Sequence, residues 1–192
     1  MKQFLYLYPI KEYFDSEFER RWLPEDDGKE FRQRYSQTLN RCIDVRYRQN
    51  GFRISYAVFD GSPIDRIIEL RDDDRVIEVG MDFETHTTEL PDKTYPYPNQ
   101  DFILNQLETL QVLRVAGFHM WDCVEKLARR AHERGLDVLV DEDLTEFFPM
   151  MLRHSGFRVD RFPSYNPRDR GESIFEGFIE ARKGKPWLWQ EY

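Results

Sequence analysis

Cysteine is scarce in this chain: Cys42 and Cys123 are the only two among 192 residues. Two thiols cannot build a disulfide framework, so a reducing compartment, the cytoplasm, is expected. Positive charge is also short, with 28 Lys and Arg against 36 Asp and Glu and a net charge of −8. A nucleic-acid binder needs a basic face to neutralise phosphates, so that class is set aside. No stretch approaches the ~20 apolar residues that span a bilayer, and the N-terminus lacks a basic-then-apolar leader pattern. Neither a membrane partner nor a secretory signal is expected. There is no GxGxxG, phosphate loop, CxxC or HExxH, so no nucleotide cofactor or structural zinc has motif support. No repeat, low-complexity tract or linker divides residues 1–192, and one domain is expected.

What is present is a core under a charged surface: 40% of residues are hydrophobic and 33% charged. Phe4 to Ile10 is an apolar, aromatic run stopped by Pro9 and reads as a buried strand. Lys11 to Gly28 reads as a charged, irregular stretch carrying Trp22 and Pro24. From Lys29 to Asn50, Phe31, Tyr35, Leu39, Cys42 and Ile43 share one face of a long helix closed by Gly51. Phe52, Ile54, Tyr56 and Val58 alternate with other residues as in a half-buried strand. Ile67, Ile68 and Leu70 form a short apolar element, Arg75 to Phe83 reads as a strand, and Glu84 to Gln100 as a loop. Asn99 caps a helix with Ile103, Leu104, Leu107 and Leu110 on its face. Val112 to Ala116 is a strand ended by Gly117, Asp122 to Arg134 a helix closed by Gly135, and Leu136 to Val140 a strand. Asp143 with Glu146 suggests a capping box for a further helix. Phe157 to Phe162 reads as a last strand, before a Pro-, Arg- and Trp-rich tail over about 163–192. Strands and helices alternating at this rhythm predict a three-layer, Rossmann-like α/β sandwich, a mostly parallel sheet with helices on both faces.

In such sheets ligands bind at the carboxyl ends of the strands. Gly117 to Cys123 forms one such end. A thiol in the first turn of a helix is drawn towards thiolate by the free amides and the dipole, and the amides around Trp121 to Cys123 can hold an oxyanion. The alternative is a small buried apolar residue. His119, four residues earlier, is either the thiol's activator or an ordinary loop histidine. Phe118 and Trp121 are pocket walls or core. Asp82, Glu84 and His86 fall on one face of a strand end and, with Asp141 and Asp143, compose a hard-cation site or a solvated acidic rim. Asp72 to Asp74 reads as an exposed turn and Arg129–Arg130 as solvated surface.

The segment Gly117 to Asp143 resembles the isochorismatase-like cysteine hydrolases. Gly117, Cys123, Val124, Ala131, Gly135 and Asp143 fall at that family's spacings without a gap, over about 45 residues with the preceding strand and helix. The resemblance implies a cysteine nucleophile at Cys123, an aspartate base at the end of the first strand and a lysine after a middle strand. The first-strand position falls at Tyr8 or Pro9, neither a carboxylate; Glu12 and Asp15 are the nearby substitutes, and Lys93 is the candidate lysine. Gly117, Phe118, His119, Trp121 and Asp122 are then the candidate substrate-binding residues. The substrate implied is a small amide, ureido or related compound, with no cofactor, in a homo-oligomer. The competing reading is a catalytically inactive relative that binds or scaffolds, with Trp187, Trp189 and Tyr192 as an interaction surface or a dimer arm.

Overall fold

The computed structural model describes residues 1–19, 28–146, 148–153, 155–164, 177 and 179–190. Five strands form one fully parallel sheet: β1 (Lys2–Leu7), β2 (Arg53–Val58), β3 (Arg75–Glu78), β4 (Val112–Gly117) and β5 (Asp137–Thr145). Their order is β3-β2-β1-β4-β5. The helices are α1 (Lys11–Glu19), α2 (Gly28–Cys42), α3 (Phe83–Thr87), α4 (Gln100–Gln106), α5 (Glu125–Glu133) and α6 (Phe148–Met151). The chain winds from β1 outwards through β2 to β3, then returns to the other side of β1 for β4 and β5. Right-handed crossovers in opposite directions put α2 on one face and α4 with α5 on the other, giving the expected three-layer α/β sandwich. Among the described residues no helix is long and apolar enough to cross a membrane.

β1 is central, paired to β2 through Leu7 opposite Ala57 and to β4 through Leu7 opposite Gly117. Phe4 to Leu7 are buried on both faces, which is why this strand reads as a continuous apolar run. β2 is buried along most of its length, rather than half-buried as its alternation suggests, because a strand covered on both faces has no polar side. The Lys29–Asn50 helix continues past α2 as a π-helical turn, Ile43–Tyr47, and a 3-10 turn, Arg48–Asn50. Asn99 caps α4 as expected, its side-chain oxygen accepting from the Phe102 amide at 3.0 Å.

Several elements depart from the expectation. The first part of the irregular Lys11–Gly28 stretch is helix α1, with Tyr13, Phe14 and Glu17 inward; Trp22 and Pro24 lie outside the described residues. The strand from Arg75 stops at Glu78. Phe157 to Phe162 forms turns rather than a strand. In the Asp72–Asp74 run, Asp72 and Asp73 are exposed, but Asp74 is paired with Arg48 at 2.7 Å. Of the Arg129–Arg130 pair, Arg130 binds Asp101 at 2.8 Å. Trp187 is buried and its carbonyl accepts from the Val140 amide at 2.9 Å, so this part of the tail folds onto β5 instead of projecting as an arm; Tyr192 lies outside the described residues.

The largest correction concerns Asp141 to Asp143. They cap nothing: β5 runs on to Thr145, and all three carboxylates are buried within it. The register against β4 shifts between Val140 and Thr145, and in this irregular stretch Asp141 and Asp143 meet one arginine and Glu142 another. Arg46, from the π-helical turn after α2, pairs with Asp141 at 3.1 Å and Asp143 at 2.9 Å, and Tyr47 donates to Asp141. Arg182, from the C-terminal segment, pairs with Glu142 at 2.8 Å. Buried charges persist only when paired in this way.

Burial pushes the Glu142 carboxyl up to about 7, with Arg182 opposing it. The folded chain therefore holds this proton more tightly than the unfolded chain does. The resulting stability is full below the unfolded value of about 4.5 and is lost as pH rises through about 7. Glu142→Gln abolishes this titration. Between those two pH values the stability of the variant, measured against the natural chain by urea unfolding, is expected to improve by roughly 2–3 kcal/mol. A difference that stays constant with pH contradicts the assignment.

Candidate functional site

The order of strands reverses between β1 and β4, and the crevice outside their carboxyl ends is where a sheet of this kind binds ligands. Three chain segments meet there. β1 hands over to Tyr8, at φ 59°, and Pro9. β4 ends at Gly117, at φ 138°, where a Cβ would lie 2.4 Å from the Leu7 carbonyl oxygen. No residue but glycine fits that approach, so Gly117 serves the sheet, bringing the segment after it against β1.

That segment runs through buried Phe118 and His119, at φ 59°, into a π-helical turn over Met120–Val124 and then α5. The wide turn rotates Cys123 inward, leaving it only 5% exposed. Burial pushes its thiol up to about 12, the Asp122 carboxylate adds to the effect, and Lys126 and the residue's own amide oppose it. The helix start therefore does not activate the thiol: desolvation outweighs the dipole. The Asp122 amide donates to the His119 carbonyl at 3.0 Å and so is not aimed at a ligand.

The third segment is α3. Asp82 caps it, accepting from the Thr85 amide at 2.7 Å and the Thr85 hydroxyl at 2.9 Å. The strand expected through Asp82, Glu84 and His86 is thus a short helix, leaving Glu84 exposed and turning His86 inward. The His86 ring stacks on Phe59, with centroids 4.9 Å apart at 25°. Its Nδ1 lies 2.7 Å from the Pro96 carbonyl oxygen. A carbonyl only accepts, so Nδ1 is the donating ring nitrogen, and in the tautomer this bond selects the lone pair is on Nε2.

One donor atom from each of His86, His119 and Cys123 lies within 4.8 Å of the others. A cavity of about 410 Å³ opens beside the two histidines, walled by Tyr13, Tyr95 and Tyr97 and bordered by Asp122. Tyr97 donates its hydroxyl to Asp122, and Lys126 pairs with the same carboxylate at 2.5 Å while sitting 3.1 Å from the Tyr97 ring centroid. Burial works against ionisation of Asp122, but the bonds from Lys126 and Tyr97 hold it below the usual carboxylate value. The site is an aromatic cup with two imidazoles in its wall, a buried thiol beside them and one fixed ion pair at its edge.

His119 and Asp122 border this cavity, and Cys123 lies beside the histidines. The other candidates are placed elsewhere. Phe118 is core, its ring 5.0 Å from Phe14, and Trp121 carries the Lys185 ammonium 5.2 Å from its ring. Glu12 is exposed on α1; Asp15 pairs with Lys11 and, at 3.0 Å, with Arg32; Lys93 is exposed in the loop before α4. None of these three borders the cavity. Asp141 and Asp143 are committed to Arg46, so they compose no cation site with Asp82 or Glu84. Of the residues that sequence reasoning missed, Lys126 carried a signal, its i,i+4 spacing from Asp122. Tyr13, Tyr95 and Tyr97 carried none that separates them from core aromatics.

No family model matches the chain, and no curated protein matches it. Among solved structures it is similar to N-carbamoylsarcosine amidase from Thermoplasma acidophilum, with 16% identity and a TM-score of 0.48 over 85% of this chain and 99% of that one.

With the thiol held at about 12, thiolate is a trace species near neutrality. In a Cys42→Ser background, alkylation of Cys123 by iodoacetamide is expected to rise about tenfold per pH unit up to pH ~9, with no plateau. An inflection below the ~8.5 of a free thiol contradicts this placement of Cys123.

Proposed function

We propose that this chain is a small-molecule hydrolase of the isochorismatase-like kind, cleaving an amide or ureido group through Cys123. The observation that carries the reading is the convergence of Cys123 with His86 and His119 beside an aromatic cavity at the crevice between β1 and β4. The cavity, at about 410 Å³, suits a small ligand. Because the β1 end presents Tyr8 instead of a carboxylate, the base in this proposal is an imidazole. A thiol of raised pKa needs such a partner within reach.

In the proposed reaction His86 Nε2 takes the Cys123 proton as the sulfur attacks the substrate carbonyl. The carbon–nitrogen bond then breaks, the departing nitrogen takes the proton back from the imidazole, and a thioester joins the acyl group to Cys123. Water, deprotonated by the same imidazole, hydrolyses the thioester and restores the thiol. Lys126 takes the cation's part that the resemblance gave to Lys93, since its charge already favours the thiolate. Tyr95 and Tyr97 hold the apolar side of the substrate.

A second reading, a binding protein without turnover, is favoured by the buried, unactivated thiol. One experiment separates the two: a panel of small amides and ureido compounds assayed with the natural chain, Cys123→Ala and His86→Gln, with thermal melts of all three. The hydrolytic reading expects no turnover in Cys123→Ala and a loss of roughly 10²–10⁴-fold in His86→Gln, with melting unchanged. Turnover retained in Cys123→Ala removes Cys123 as the nucleophile, and compounds that bind without being cleaved by the natural chain favour the binding protein.

A further inference from the structure

We infer that His86, His119 and Cys123 form a three-ligand site for one zinc ion, with the fourth coordination position open to the aromatic cavity. Two imidazoles and a thiol are a borderline-soft donor set, suited to zinc and its transition-metal neighbours and unsuited to magnesium or calcium, which require oxygen. Their donor atoms already lie within 4.8 Å of one another. Tetrahedral zinc, with bonds of about 2.0–2.3 Å, needs donors roughly 3.3–3.7 Å apart, so closure asks for side-chain shifts on the order of 1 Å.

The surroundings are those of a metal ligand as well. Ligating histidines almost always donate their second ring nitrogen to a carboxylate, a backbone carbonyl or water, which fixes tautomer and ring orientation. His86 does this through Nδ1 to Pro96, and its ring is clamped on Phe59. His119 is anchored by its amide, which donates to Glu146 at 3.2 Å, and its ring stands edge-on to Tyr13 at 4.9 Å. Asp122 is occupied by Tyr97 and Lys126, so it does not compete as a fourth ligand. Three protein ligands and one open position facing a cavity is the pattern of a reactive zinc site rather than a closed structural one.

On binding, the Cys123 proton is released to solvent and the sulfur becomes a thiolate ligand of the ion, with no change of oxidation state. The binding itself stands on the cluster alone. Its consequence for turnover rests on the hydrolytic reading: a sulfur bound to zinc is withdrawn from attack, so the metal acts as a reversible inhibitor of the thiol route.

The test uses the full chain, stripped with a chelator and titrated with Co²⁺ as a spectroscopic probe, then with Zn²⁺ and Mg²⁺ as competitors. One Co²⁺ per chain is expected, with intense tetrahedral d–d bands and a thiolate charge-transfer band, displaced by Zn²⁺ and untouched by Mg²⁺. Cys123→Ser should lose the charge-transfer band, His86→Gln should weaken binding by about a hundredfold or more, and Cys42→Ser should match the natural chain. X-ray absorption of the natural zinc-loaded chain makes the result independent of how the variants fold. It should show one sulfur at about 2.3 Å and imidazole nitrogens at about 2.0–2.1 Å. An octahedral cobalt spectrum, the absence of sulfur from the zinc shell, or a band that survives Cys123→Ser overturns the site. Hydrolysis is measured separately on the chelator-treated chain. Turnover without metal binding sinks the zinc site alone, and metal binding without turnover sinks the hydrolase alone.

Discussion

β1 and β4 meet where the winding of the sheet reverses, and Gly117 sits at the end of that contact. A Cβ there would stand 2.4 Å from the Leu7 carbonyl oxygen, so the two strand ends come together only because the side chain is missing. Everything assigned to the site depends on that approach. It sets where His119 and the π-helical turn begin, and the turn in turn buries Cys123. Tyr8, at the corresponding end of β1, stacks on Phe59 with centroids 4.5 Å apart, and Phe59 carries the His86 ring on its other neighbour contact. The aromatic layer links the β1 end, the β2 end and α3 through ring contacts.

A second constraint comes from charge. A chain of net charge −8 buries three consecutive carboxylates in β5, a costly arrangement unless each is matched. Arg46 and Arg182 supply the match, one from the turn after α2 and one from the C-terminal segment. The same C-terminal segment reaches the cysteine turn: Lys185 pairs with Glu125 at 2.7 Å and lies over the Trp121 ring. Residues far apart in sequence thus fix the edge of the sheet and the outer side of the turn that presents Cys123. The burial that anchors these groups also raises the Cys123 thiol, which is why the chemistry proposed for it needs either an imidazole base or a metal ion.

The parts of the fold that were legible in the sequence are those where local pattern and tertiary role agree. β1 reads as a strand because it is apolar on both sides, α4 because Asn99 caps it, and β4 with α5 because Gly117 and Gly135 punctuate them. α1 was not legible, since the charges of Lys11–Glu19 mask the inward Tyr13 and Phe14. The acidic end of β5 read as solvated because its partners are an arginine 95 residues away and another 40 residues away. The site was half legible. Cys123, His119 and Asp122 lie on one contiguous segment with a recognisable spacing. His86 reads as part of an acidic strand end because Asp82 and Glu84 precede it at alternate positions; the Asp82 cap that makes this segment helical shows only in the Thr85 bonds. Tyr13, Tyr95 and Tyr97 reach the cavity only through the order of the strands.

The central claim is that His86 and Cys123, 37 positions apart, meet beside one cavity. Proton–proton contacts in solution test it most directly, measured as nuclear Overhauser effects from the assigned His86 ring protons in the metal-free chain. The account predicts cross-peaks to the β-protons of Cys123 together with cross-peaks to the Phe59 ring. Strong His86–Phe59 contacts with none to Cys123 would contradict it, because the ring would then be stacked as described but turned away from the thiol.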